Sequence, residues 1–211
     1  MNKSMLSFIC LLLIFVTCSK KAELNKQLID AVVLGDSAKV SDLLTKGADV
    51  NAREEAGPGH AALVIAAGED DAEIAAILLK RGADVNARSG DGSSALMNAV
   101  MEGNAEMMAL LLKKGADVNA ADSSGQTALI KASADGQEKI IDILIASGAE
   151  INRRDKIGLT AVMKATINGH PEIAGMLMKK GAALTDRDKL KIQEAMRINT
   201  QQQEMLDSEN K

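Results

Sequence analysis

The sequence predicts an all-α protein: a solenoid of stacked helix-turn-helix units with projecting loops. Three observations carry that expectation. The phrase GADVNA stands at Gly47, Gly82 and Gly115, returns as GAEINR at Gly148 and as GAALTD at Gly181, with spacings of 35, 33, 33 and 33 residues. A fixed period near 33 is the mark of a repeat array. Each period holds two short segments with apolar residues at helical spacing, divided by a glycine such as Gly103, Gly136 or Gly169. Finally, the two Phe residues are Phe8 and Phe15, and there is no Trp or Tyr. Beyond residue 15 the core must therefore be Leu, Ile, Val, Met and Ala, a composition suited to small helices packed closely side by side.

Residues 1–17 read as an export signal. Lys3 supplies a basic start, and Met5–Val16 is an apolar run too short to span a bilayer, which takes roughly 20 residues. Cys18 follows directly. Its position resembles that of the lipidated cysteine in a bacterial lipoprotein lipobox, although Phe15 and Thr17 stand where that motif has Leu and a small residue. The resemblance implies lipidation of Cys18, with 18–21 as the linker. The alternative is an ordinary secretory signal with an incidental cysteine. Loss of residues 1–17 leaves 24 basic against 29 acidic residues, a net charge of −5. Such a domain is not held to anionic lipid by charge, so attachment would come from acyl chains.

The first unit, about 22–46, is shaped as an end. Leu24, Leu28, Ile29, Ala31 and Val32 recur at helical spacing, while Lys21, Glu23, Lys26 and Asp30 offer a polar outer face that no neighbour has to cover. Gly35-Asp36-Ser37 breaks the helix and supplies a cap for the next, whose stripe is Val40, Leu43 and Leu44. The second unit, about 47–81, is longer by two residues within 53–60, where Gly57-Pro58-Gly59 marks a turn. Its helices are expected at 61–67 and 71–80, with Ile74, Ile77 and Leu78 buried. Units 82–114 and 115–147 are the most regular. Ser94 and Thr127 are expected N-caps, Gly103 and Gly136 end the first helices, and Gly115 and Gly148 end the second. In unit 148–180, Thr160 is the expected cap and Pro171 sits where the first helical turn tolerates it. The phrase then decays at Gly181. Residues 187–206 are read as a polar capping helix with a thin stripe of Leu190, Ile192, Ala195 and Met196, and 207–211 as a disordered tail.

The opening of each unit's first helix carries a family resemblance. It reads SALMNAVMEGN from Ser94, TALIKASADGQ from Thr127 and TAVMKATINGH from Thr160. Together with the GADVNA turn this resembles the ankyrin repeat, whose helix opens T-P-L-H-x-A-A-x-x-G-H, over about residues 22–186. Departures are Ala for the family proline, Met or Ile for its histidine, and Asp70 at its usual glycine.

The resemblance implies a protein-protein interaction module that is not an enzyme and has neither cofactor nor metal. Contacts would lie at loop tips and on exposed first-helix positions, lining a concave surface. Here those are Asp91, Ser93, Met101 and Glu102; Ser123, Gln126, Ala134 and Asp135; and Lys156, Ile157, Leu159, Ile167 and Asn168. Ile157, Leu159 and Ile167 form either an apolar contact patch rimmed by Lys156 and Asn168 or a surface packed under the C-terminal helix. Met97, Met101 and Met163 read equally as gap-filling core.

Chemistry has little else to stand on. His60 and His170 lie three repeats apart, and the resemblance gives His170 a structural place. Glu54-Glu55 and Glu69-Asp70-Asp71 read as solvated charge. The net charge of −4 and the lack of aromatics for base stacking argue against nucleic acid. The resulting expectation is a monomeric lipoprotein of the periplasm or cell envelope, binding a protein partner. The rivals are an accessory inhibitor or immunity-type protein for a neighbouring enzyme or toxin, and an intracellular scaffold with an uncleaved N-terminus.

Overall fold

The computed structural model describes residues 19–209 apart from Ala56 and Pro58. The signal segment and Cys18 lie outside the described residues, so the lipidation expectation falls outside them too. Among the described residues the chain is helical, with no strand. Helix α1 covers residues 19–33, followed by α2 (Ser37–Thr45), α3 (Ala62–Gly68), α4 (Ala72–Lys80), α5 (Ala95–Met101), α6 (Ala105–Lys113), α7 (Ala128–Ala134), α8 (Glu138–Ala146), α9 (Ala161–Ile167), α10 (Pro171–Lys179) and α11 (Asp186–Glu209). The described residues divide into two compact units, the first ending at Ala116 and the second beginning at Asp117.

In the first unit α3 packs on α4 and α5, α5 on α6, and α4 touches α2 and α6. In the second, α7 packs on α8 and α9, and α9 on α10 and α11. Alanine makes these contacts possible. Ala62 and Ala66, Ala95 and Ala99, Ala128 and Ala132, and Ala161 and Ala165 each stand four residues apart on one helical face, and all are buried. A bare methyl lets neighbouring seven-residue helices approach closely. Beside each pair sits a buried branched residue: Leu63, Leu96, Leu129 or Val162. Truncating one of these leucines to Ala costs about 2–5 kcal/mol by cavity formation. The second helices bury Ile74 and Leu78, Met107, Met108 and Leu111, Ile140, Ile141 and Leu144, or Ile173 and Leu177.

Caps divide unevenly. Asp36, Asp71 and Asn104 accept the amides of Lys39, Ile74 and Met107, and Ser94 and Thr127 accept those of Met97 and Ile130. Thr160 departs from expectation. It occupies the N-cap in extended conformation but makes no capping bond, and its hydroxyl is buried without a partner. Gln137 and His170 at the starts of α8 and α10 do not cap either. Asp70 adopts φ 60° where the family has glycine. A short polar side chain tolerates that region, and here its carboxylate accepts from the Asn104 amide group, two helices on.

The C-terminal helix departs in two ways. Helix α11 runs through Glu209, so residues 207–209 continue the helix where the sequence suggests a frayed tail. Its stripe is also thinner than expected. Ile192 is buried, but Leu190 and Met196 face out, because the buried face passes through Asp188 instead. At the other end the close of α1 is less polar than its sequence suggests, since Val33 and, one residue past the helix, Leu34 are exposed.

Candidate recognition surface

The loops between repeats are short fingers. In the first unit single β-bridges close them, Arg53 to Ala61 and Arg88 to Ser94, and in the second Ala121 pairs with Thr127. Within three fingers an aspartate gathers the backbone. Asp91 accepts the Ser93 amide, Asp122 those of Ser124 and Gln126, and Asp155 those of Ile157 and Leu159. These are Asx turns, in which a carboxylate takes the amides that a turn leaves unpaired. An arginine spans the finger base where the sequence has one: Arg53 donates to the Gly59 carbonyl, Arg88 to Gly92 and Arg154 to Gly158.

An asparagine ladder joins successive repeats. The Asn51 side-chain oxygen accepts the Asp84 amide, and the Asn86 side-chain amide donates to the Gly115 carbonyl. In the second unit Asn119 bonds both the Glu150 amide and the Gly148 carbonyl, and Asn152 bonds the Ala183 amide and the Gly181 carbonyl. From sequence alone the GADVNA asparagine is one residue of a turn. Its recurrence at a fixed place was the signal for this role.

The expected contact residues separate by exposure. In the first unit Asp91, Met101 and Glu102 are exposed. Ser93 is a correction: it is buried, and its hydroxyl donates to Asp91 at 2.9 Å, so it braces the finger tip from inside. In the second unit Ser123, Asp135, Lys156, Ile157 and Asn168 are exposed, while Gln126, Ala134, Leu159 and Ile167 are half-buried. The apolar patch suggested for the last repeat therefore reduces to Ile157, 68 % exposed, with Leu159 and Ile167 partly covered. Asn168 is tied down as well, donating to the Ala134 carbonyl at 3.0 Å. Met97 and Met163 are core, whereas Met101 is 55 % exposed.

Both histidines have structural partners. His60 shares a hydrogen bond of 3.1 Å with the Ser89 hydroxyl of the next finger. The His170 ring lies against Gly136 so closely that a Cβ there would sit 2.7 Å from Nδ1. A recess of about 720 Å³ opens beside α1, where Val33 and Leu34 adjoin Lys26, Asp30, Lys39 and Arg53.

In the second unit the carboxylates of Asp122 and Asp188 have perturbed acidity. Burial works to raise the Asp122 carboxyl, but the Lys131 ammonium at 2.9 Å and the amides of Gln126 and Ser124 outweigh it and leave it below its ordinary value. Asp188 is held far below the usual carboxylate range by Arg154, whose two nitrogens bind its two oxygens at 2.9 and 3.0 Å, aided by the amide and hydroxyl of Thr185. This pair fastens the base of the last finger to α11.

Helix pairs repeating every 33 residues, closed by glycine-led turns and bearing exposed finger tips, define a repeat-built binding scaffold. The family model described as ankyrin repeats (3 copies) matches residues 28–122 and 119–188. The chain belongs to the ankyrin-repeat family, and its repeats form a protein-protein interaction module. Proteins of this family are generally non-catalytic scaffolds. No curated protein matches the chain significantly.

Proposed function

We propose that this ankyrin protein is a non-catalytic recognition module displayed in a bacterial cell envelope, tethered by lipid on Cys18 and acting as a monomer. The observation supporting recognition is the set of fingers braced by Asp122 and Asp155 from inside and by Asp91 at the surface, which holds Ser123, Lys156 and Ile157 outward on preformed turns. A surface already ordered loses little conformational entropy on binding. Partner contacts are assigned to these tips and to Met101, Glu102 and Asp135 at the ends of the first helices, with Gln126, Ala134, Leu159, Ile167 and Asn168 at their edges. Placement in the envelope is supported by the basic start, the apolar run and the cysteine that ends it.

Labelling cells with radioactive palmitate tests the tether. The expected result is a labelled protein whose label disappears in Cys18→Ser. A mature product that still begins at Met1 sinks the envelope reading and leaves the repeats as an intracellular scaffold. Crosslinking in intact envelopes tests recognition: a protein partner should be captured, and charge reversal at Glu102 and Asp135 together should reduce the yield.

A further inference from the structure

The chain is electrically lopsided. Residues 19–152 hold 13 Lys and Arg against 21 Asp and Glu, net −8, whereas residues 153–197 hold ten against five, net +5. In the second unit part of that positive charge converges on one recess. A pocket of about 320 Å³ between the last finger and the start of α11 is lined by Arg154, Gly158, Thr185, Arg187, Asp188 and Lys191. Its single carboxylate is fully engaged. Asp188 is 2 % exposed, and its oxygens take both nitrogens of Arg154 and both donors of Thr185. Asp186, next to Arg187, pairs with Lys189 at 2.9 Å.

What remains is cationic. Lys191 reaches the finger and donates to the Ile157 carbonyl at 3.1 Å, a neutral acceptor that leaves its charge uncompensated. Arg187 is exposed, and among the described residues no carboxylate lies within ion-pair distance of it. Lys156 stands at the same finger tip, exposed. Beside Lys191, at the finger tip, lies one of the most exposed large apolar side chains of the described residues, Ile157 at 68 %.

We propose that this corner binds an acidic protein segment, one or more carboxylates entering the recess while a neighbouring aliphatic side chain covers Ile157. The inference rests on the recognition reading above and names the partner's chemistry. Guanidinium groups match carboxylates in a planar, two-bond geometry, and the recess already holds one carboxylate that way in Asp188. Phosphate surfaces fit less well. A bilayer meets a flat or convex face rather than a recess, and single-stranded nucleic acid would need aromatic side chains for base stacking, which no residue beyond Phe15 supplies.

The test is fluorescence anisotropy with a labelled peptide of Glu residues interrupted by Leu, titrated against the full chain. The wild type is expected to bind it, more weakly as salt rises, and to ignore a Lys-and-Leu peptide of the same pattern. The triple variant Lys156→Glu/Arg187→Glu/Lys191→Glu, which spares the Arg154–Asp188 pair, should lose about tenfold or more in affinity. The milder pair Arg187→Gln/Lys191→Met should lose less, in the same direction, with unchanged helical circular dichroism. Equal binding of both peptides, or acidic-peptide binding untouched by the triple variant, overturns the proposal. So does tighter binding of phosphatidylglycerol vesicles or of oligothymidylate through the same three residues. If envelope crosslinking captures one partner equally with wild type and triple variant, recognition stands and this corner is not its contact.

Discussion

The two compact units use one repeat plan but hold it together differently. In the first, four helices among the described residues carry a side-chain cap, supplied by Asp36, Asp71, Ser94 and Asn104, and the ion pairs Lys21–Asp49 and Lys46–Asp42 are exposed. In the second, Thr127 alone caps among its short helices, and two buried polar atoms, Gln137 Oε1 and Thr160 Oγ1, have no partner. That unit relies on pairs with a shielded carboxylate, Lys131–Asp122 and Arg154–Asp188, and on close approaches at glycine. A repeat fold therefore does not require one fixed set of local devices. Alanine faces and period-33 turns are common to both units, and the polar fastenings vary around them.

The largest expected effect probes the close approaches. A Cβ on Gly125 would lie 2.8 Å from the Lys156 backbone nitrogen, at φ 79°. Gly125→Ala should destabilise by about 3 kcal/mol or more, since the obstacle is backbone and the conformation is strained as well. Gly82→Ala in the first unit meets nothing within 4 Å at φ 88°, so strain alone should cost about 1–2 kcal/mol. Urea melts of the two variants compare them directly, and equal losses would erase this difference between the units.

Acid should separate the units next. Asp122 and Asp188 have folded-state pKa values below their ordinary ones. Their contribution is complete above about pH 4, the unfolded carboxylate value, and is lost as pH falls below it toward the folded values. Hydrogen exchange from pH 7 down to pH 3 should show α11 and the last two fingers opening before α3–α6. Asp188→Asn should bring much of that opening to neutral pH. Protection lost uniformly along the chain would contradict it.

The smallest effects concern caps. Asp71→Ala should cost about 1 kcal/mol through the lost bond to the Ile74 amide. Thr160→Val removes a hydroxyl that bonds nothing and should lie within about 0.5 kcal/mol of wild type or above it. Thermal melts that rank the two the other way would show that Thr160 caps after all.

The repeat frame was legible in the sequence because period, glycine position and apolar spacing are local properties. Ser94 and Thr127 met the same requirement, a hydroxyl next to a helix start. Thr160 precedes an alanine and a helix start in the same way and fails, because capping also depends on how the hydroxyl is set against its surroundings. Ser93 looked like a finger-tip contact, and only the fold shows its side chain turned in toward Asp91. The Arg154–Asp188 pair joins residues 34 apart, across the point where the repeat phrase decays, so no motif announced it. Leu190 was misplaced for a related reason: a thin stripe on a polar helix does not say which side meets α9.

The asparagine ladder bears on how such a chain grows. Each asparagine sits in one repeat and grips the turn of the next, as Asn119 does at Gly148 and Asn152 at Gly181. One copy thus brings a hook for its successor and an eye for its predecessor. A gene duplication of a whole repeat would extend the array with both joints intact, and two extra residues in a finger, as between Gly47 and Gly82, leave the joint from Asn51 to Asp84 in place.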